Sequence, residues 1–233
     1  DAKKAVAIAR NIGIKNISAD IMIGLPDSTE DTLKNSIDGI LSLGTEHISA
    51  YILKVEQGTP FSLMPLNLPD DDKTAEQYTL LCDTLKAAGY EHYEISNFAK
   101  KGYESRHNNR YWKQEEYIGI GPSAHSFFEG KRFYYDRDIL AFINSPNTVD
   151  DGVGGDEAEY IMLALRLSSG LCFIDFEKKF GKPVDRKIIL KADSLAKHQL
   201  CEIKDDSISL TDKGMLVSNS VIFTLLGEVY ENF

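Results

Sequence analysis

Ile17-Ser18-Ala19-Asp20-Ile21-Met22-Ile23-Gly24-Leu25-Pro26 is the stretch on which the fold turns. Ile17, Ala19, Ile21 and Ile23 alternate with Ser18, Asp20 and Met22, so a strand here has one apolar face and one face that carries Asp20. Gly24-Leu25-Pro26 breaks that strand. Ser28 and Asp31 then stand at capping-box spacing ahead of Leu33, Ile37, Ile40 and Leu41, an apolar stripe of helical period that Gly44 ends. The spacing predicts a strand followed by a helix that covers its apolar face.

The same alternation extends outward. Before it, Ala2, Ala5, Val6 and Ala9 lie at helical spacing, with Gly13 as a C-cap. After it, His47 to Leu53 reads as a second strand, and the following loop contains Gly58, Pro60, Pro65 and Pro69. A third helix begins near Asp72 with Tyr78, Leu81, Cys82 and Leu85 as its buried stripe and Gly89 as its stop, and Tyr90 to Phe98 reads as a third strand. Such βα units predict an α/β fold: a parallel sheet covered by helices, part of a TIM-like βα barrel. Functional groups in barrels of this kind gather at the C-terminal ends of the strands. Gly24-Leu25-Pro26, Lys54 and the polar run after Phe98 all fall there.

The run SPNTVDDGVGG, residues 145–155, shifts to Pro, Asn, Asp and Gly and reads as a linker. It separates an expected first domain, 1–144, from a second, 156–233. In the second, Ala158, Ile161, Met162 and Leu165 give a helix face, and Phe173–Phe180 and Val184–His198 predict two further helices. Leu200–Ile203 and Ile208–Leu210 flank Asp205-Asp206 as a hairpin, and Thr211–Leu226 predicts a closing helix. Helices followed by a hairpin suggest a small winged-helix-like domain.

Composition removes several function classes. The formal net charge of −10 argues against general nucleic-acid binding, which draws its affinity from clustered Lys and Arg. Residues 156–233 alone contain ten Lys and Arg against thirteen Asp and Glu, a net of −3. No stretch approaches the roughly 18 apolar residues of a membrane span. Three scattered cysteines make no disulfide framework, so a reducing cytoplasm is the expected setting.

The most unusual stretch is Tyr103 to His125, YESRHNNRYWKQEEYIGIGPSAH. Its His107-Asn108-x-x-Tyr111-Trp112 run lacks the periodicity of an amphipathic helix and reads as a binding loop. Tyr117 to Pro122 reads as a strand whose glycines let a ligand or another backbone come close. An imidazole at His107 can ligate iron, and Tyr111 and Trp112 offer flat apolar surface. A plainer account has His107 and Asn108 bonded to loop carbonyls, with Trp112 as an anchor to the core.

These residues, together with Asp20 to Pro26 and Tyr93-Glu94-Ile95-Ser96-Asn97-Phe98-Ala99, resemble the HemW family of heme chaperones. That family lies within the radical S-adenosylmethionine proteins similar to oxygen-independent coproporphyrinogen III oxidase. The resemblance runs over nearly the whole chain. It implies a [4Fe–4S] cluster and S-adenosylmethionine in the complete protein, with heme as cargo and heme-accepting proteins as partners. The family's Cys-x3-Cys-x2-Cys motif lies near its N-terminus, whereas Cys82, Cys172 and Cys201 have no such spacing. The chain therefore resembles a C-terminal portion without the cluster region, inactive by itself in radical chemistry.

The resemblance also assigns candidate sites. Asp20 matches a position in the S-adenosylmethionine site, Lys54 and His125 match positions near that cofactor or the substrate, and His107, Asn108, Tyr111 and Trp112 match the heme loop. His107 is the candidate heme-iron ligand. For Asp20 the alternative is structural, a carboxylate holding the Gly24-Leu25-Pro26 turn. The competing function is oxidative decarboxylation of coproporphyrinogen III, and the His-Asn-x-x-Tyr-Trp run favours the chaperone. An unpaired edge on the first strand also suggests a homodimer.

Overall fold

The computed structural model describes residues 1–227, so the end of the expected second domain, 228–233, lies outside the described residues. The chain sorts into two compact units. One is Asp1–Glu104 with Thr211–Ser218, and the other is Ser105–Leu210 with the chain from Asn219. Composition had pointed to a division at residues 145–155 instead.

The first unit runs α1 (Ala2–Asn11), β1 (Ser18–Ile23), α2 (Glu30–Leu41), β2 (His47–Ile52), a 3-10 turn (Pro60–Leu63), α3 (Asp71–Ala87), β3 (Glu91–Glu94) and β4 (Asn97–Ala99). β1 and β2 pair in parallel, from Ser18 opposite His47 to Ile23 opposite Ile52. The expected parallel third strand is replaced by a hairpin. β4 pairs antiparallel with both β2 and β3, giving an open sheet in the order β1-β2-β4-β3. The chain reverses at Ile95-Ser96, and the Asn97 amide donates to the Glu94 carboxylate across the turn, with both side chains buried.

Alternation in β1 does what its pattern requires. Ile21 and Ile23 join Ile48, Ala50 and Phe98 on the sheet face that meets Leu33, Ile37 and Ile40 of α2 and Tyr78, Leu81, Cys82 and Leu85 of α3. Each fully buried Leu or Ile there contributes on the order of 1.5–3 kcal/mol against exposure. The cap of α2 is displaced by one residue from the expected Ser28. Thr29 Oγ1 accepts the Thr32 N–H at 3.2 Å while Thr32 Oγ1 accepts the Thr29 N–H at 2.8 Å, so two otherwise unpaired donors are satisfied reciprocally.

The second unit contains α4 (Arg106–Trp112), β5 (His125–Phe128), β6 (Lys131–Tyr135), α5 (Ile139–Asn144), β7 (Thr148–Val153), α6 (Glu157–Ala164), β8 (Leu171–Cys172), α7 (Phe173–Phe180), α8 (Arg186–Ala196), β9 (Cys201–Lys204) and β10 (Ser207–Leu210). The chain continues through α9 (Asp212–Leu216), which belongs to the first unit, into α10 (Ser218–Leu226). The expected single closing helix is thus two, because Val217 leaves the helical conformation at φ −113°.

Two antiparallel sheets form in this unit, β5-β6-β7 and β8-β10-β9. The stretch 145–155 is no free linker, since its Thr148–Val153 pairs along β6. Its strand is exposed throughout and has no apolar alternation, which is why composition hid it. Gly170 enters β8 at φ 68°, and a Cβ there would collide with the Ile208 carbonyl of β10, so only glycine fits this approach.

Candidate functional site

Two groups of candidate residues lie in different units. In the first unit, the sheet face opposite the helices is polar. Cross-strand pairing sets Ser18 beside His47, Asp20 beside Ser49 and Met22 beside Tyr51. Ser18 Oγ lies 2.7 Å from His47 Nδ1, and the Tyr93 hydroxyl lies 2.8 Å from His47 Nε2, making one hydrogen-bonded chain. Burial holds the His47 pKa below its ordinary value, with the Asp20 carboxylate pulling the other way. A neutral imidazole there has one donor and one acceptor nitrogen, which suits two hydroxyl partners.

Asp20 itself is exposed. It does not hold the Gly24-Leu25-Pro26 turn. Gln77 of α3 does, its Oε1 accepting the Gly24 N–H at 2.9 Å while its Nε2 donates to Ser28 Oγ at 3.0 Å. The carboxylate is therefore open on a face also carrying Ser49, with exposed Met22 and Tyr51 at the C-terminal end of the same strands. Such a surface can accept hydrogen bonds from an ammonium or a ribose. Lys54 lies just past β2, largely exposed, and pairs with Glu56 at 3.0 Å.

In the second unit, the expected binding loop around His107 is a short helix. Ser105 caps α4 by accepting the Asn108 N–H at 3.2 Å, which starts the turn without help from apolar periodicity. Helical geometry then separates residues that the sequence sets side by side. His107 and Tyr111, four apart, share a face, and the Tyr111 hydroxyl lies 2.7 Å from His107 Nε2. Trp112 is turned away, with the Arg166 guanidinium 5.6 Å from its ring centre. Asn108 is half-buried and serves the cap through its backbone.

The aromatic partner that sequence reading did not pair with His107 is Tyr117. Its ring meets Tyr111 edge-on at 4.6 Å, so His107, Tyr111 and Tyr117 form a continuous row. Tyr117 to Pro122 is not a strand, since only Tyr117 bridges, to Phe127. Ile118 and Ile120 beyond it are 59% and 82% exposed, an apolar surface continuous in sequence with the aromatic row. Gly119 is needed for backbone approach, because a Cβ there would strike the His125 carbonyl.

His125 opens β5 and is exposed. Its ring stacks on its cross-strand neighbour Tyr134 at 4.9 Å, and its Nδ1 lies 3.4 Å from the Asp151 carboxylate of β7. The three cysteines stand on α3, β8 and β9, and β10 separates the latter two. That placement does not fit a [4Fe–4S] cluster, which requires thiolates converging on one centre. Among the described residues no helix is long and apolar enough to cross a membrane.

The fold is α/β and resembles that of a solved radical SAM enzyme. Over 97% of this chain it matches coproporphyrinogen III oxidase, HemN, from Escherichia coli, a radical SAM enzyme, with a TM-score of 0.76 at 16% identity and 58% coverage of that chain. Residues 158–217 match the HemN C-terminal domain. Heme chaperone HemW of Bacillus subtilis is 37% identical over 233 residues, covering 95% of this chain and 62% of that protein. Heme chaperone HemW of Lactococcus lactis is 32% identical over 222 residues, covering 91% and 59%. The chain is similar to these HemW proteins over more than nine tenths of its own length and spans about six tenths of theirs.

Proposed function

We propose that this chain is the heme-holding part of a heme chaperone and passes heme to acceptor proteins. The observation that carries this reading is the row His107–Tyr111–Tyr117, an exposed imidazole backed by two rings and followed by exposed Ile118 and Ile120. Imidazole nitrogen is a good iron ligand, and flat apolar surface beside it suits a porphyrin face. His107 is the proposed axial ligand. For iron to reach Nε2 the Tyr111 hydroxyl must rotate away, so Tyr111 gates the ligand. Trp112 and Asn108 act on this site indirectly, by holding α4.

S-adenosylmethionine fits the open polar face of the first unit, with Asp20 and Ser49 as hydrogen-bonding groups and Met22 and Tyr51 as apolar flank. When bound beside a reduced cluster in a complete protein, that cofactor supplies radical chemistry. Lys54 is proposed as an outer contact of that face, His125 as a candidate contact to cofactor or substrate within the second unit, and the polar chain Ser18–His47–Tyr93 as the floor of the first unit's site. The second unit's C-terminal part is read as winged-helix-like and as a cover for a ligand or partner surface. β1 has no partner on its outer edge among the described residues, which supports pairing with a second copy.

The alternative, oxidative decarboxylation of coproporphyrinogen III, is supported by the likeness to HemN in fold. Heme titration of this chain, followed by absorption spectroscopy, separates the two. Saturable binding with a Soret band that shifts in His107→Ala supports the chaperone, while absence of binding by a folded chain counts against it.

A further inference from the structure

In the first unit, α3, β3 and α9 bring together three side chains that the polar sheet face does not use. Cys82 lies on the buried stripe of α3, His92 points to the helix side of β3, and Asp212 begins α9. One donor atom from each, thiol, imidazole and carboxylate, lies within 4.8 Å of the other two. His92 is locked in place, stacked on Phe98 at 4.2 Å with its rings nearly parallel, and its side chain is 2% exposed. Its Nδ1 is 2.9 Å from Asp212 Oδ1, yet its buried Nε2 has no hydrogen-bond partner among the described residues. A buried imidazole nitrogen without a partner is an uncommon cost and marks this cluster as one to examine for a ligand.

The geometry points to a binding site for one divalent ion of the zinc type, ligated by Cys82, His92 and Asp212, with water completing a tetrahedron. A sulfur, a nitrogen and an oxygen donor together suit a borderline ion such as Zn2+ or Co2+, and three protein ligands plus water is an established zinc arrangement. Ligand atoms around tetrahedral zinc lie roughly 3.3–3.8 Å apart, given bonds of about 2.0–2.3 Å. The present spread of up to 4.8 Å is wider than this, so binding an ion would draw the three side chains closer together. Asp212 already binds a cation on its other oxygen, the ammonium of Lys86. Lys86 is 43% exposed and can swing into water when the ion arrives.

The protonation balance is simple. The Cys82 thiol, pushed up to about 12 by burial and by the nearby Asp212 carboxylate, releases its proton to solvent as the metal–sulfur bond forms. Thiolate and carboxylate then neutralise the ion's two charges. Asp212 is already ionised, since the hydrogen bond with His92 and, next, Lys86 hold its pKa near 2. The bound ion ties Thr211–Ser218 to α3 and β3, joining residues more than a hundred positions apart. This site lies on the helix-covered side of the sheet, so it is distinct from the Asp20 face.

Cobalt titration of the metal-stripped chain tests the proposal. One equivalent of Co2+ is expected to produce thiolate-to-cobalt charge-transfer absorption and tetrahedral visible bands, both displaced by Zn2+. Cys82→Ala, with its fold checked by circular dichroism, is expected to lose the charge-transfer absorption. Asp212→Asn is expected to weaken Co2+ binding roughly tenfold or more, and the double variant Cys172→Ala/Cys201→Ala to leave it unchanged. Absence of charge-transfer absorption in the unaltered chain overturns the site, as does its persistence in Cys82→Ala or its loss in the double variant.

Discussion

Gln77 holds Gly24. Its side-chain oxygen accepts the Gly24 N–H at 2.9 Å, joining residues 53 positions apart, and fixes the turn through which the chain leaves β1. Gly24 takes φ 70° there, so both its backbone freedom and its N–H partner are specified. Gln77 is buried, and its amide nitrogen extends the tie to Ser28.

Replacing Gln77 by Ala leaves a buried N–H without an acceptor. We expect a loss of about 1–3 kcal/mol, read as a lower urea midpoint at unchanged slope. Asp20→Asn is expected to leave that midpoint within about 0.5 kcal/mol, because Asp20 is exposed and does not support the turn. An equal loss in both variants would return the turn to Asp20.

Tyr111→Phe deletes the hydroxyl that occupies His107 Nε2 and keeps the ring against Tyr117. If iron binds that nitrogen, the competing hydrogen bond vanishes and heme binding tightens by up to roughly tenfold, the equivalent of about 1.4 kcal/mol. His107→Ala in the same titration should lose the shifted Soret band without loss of helix content, since the residue is exposed. Equal heme spectra for the parent, Tyr111→Phe and His107→Ala would remove His107 as the ligand.

His47 gives stability a pH dependence of definite sign. Its folded pKa lies below the ordinary 6.5 through burial, so the unfolded chain takes up a proton first as pH falls. The neutral ring's contribution is fully present above 6.5 and declines below it until the folded pKa is passed. The urea midpoint should therefore fall as the pH drops below about 6.5, and His47→Gln should flatten that slope. A parent slope no steeper than the variant's would show that His47 is not the titrating group.

α8 offers the strongest case for nucleic-acid recognition, and its cations are partly occupied. Lys191 Nζ donates to the Leu225 carbonyl at 3.1 Å, and Lys197 pairs with Asp193 at 3.4 Å. With a net charge of −10 on the whole chain, we expect no salt-dependent binding of a duplex in fluorescence anisotropy at physiological salt. A saturable signal that falls as salt rises would contradict this.

Residue periodicity by itself determined the first unit's layers: β1 from Ser18 to Ile23, the Leu33–Ile37–Ile40 stripe, and the Tyr78–Leu81–Cys82–Leu85 stripe all bury as their spacing requires. Helix and strand periods are local properties, and a face that must leave water is written every second or every third to fourth residue. The same holds for α7 and for the β9–β10 hairpin, where the turn at Asp205-Asp206 separates short apolar runs. What local pattern did not carry, tertiary structure decided. Tyr90 to Phe98 reads as one strand, but the chain reverses at Ile95-Ser96 and forms a hairpin, with Asn97 bonded to Glu94 across the turn and β4 paired to both β2 and β3. α4 rests on the single cap at Ser105, and β7 on pairing with β6, neither of which leaves an apolar signature. The row from His107 to Tyr117, the tie from Gln77 to Gly24 and the cluster of Cys82, His92 and Asp212 are side-chain meetings set by chain reversal. Distance along the chain says nothing about them, since the packing of α3 and α9 against one sheet is what closes gaps of 53 and 120 positions.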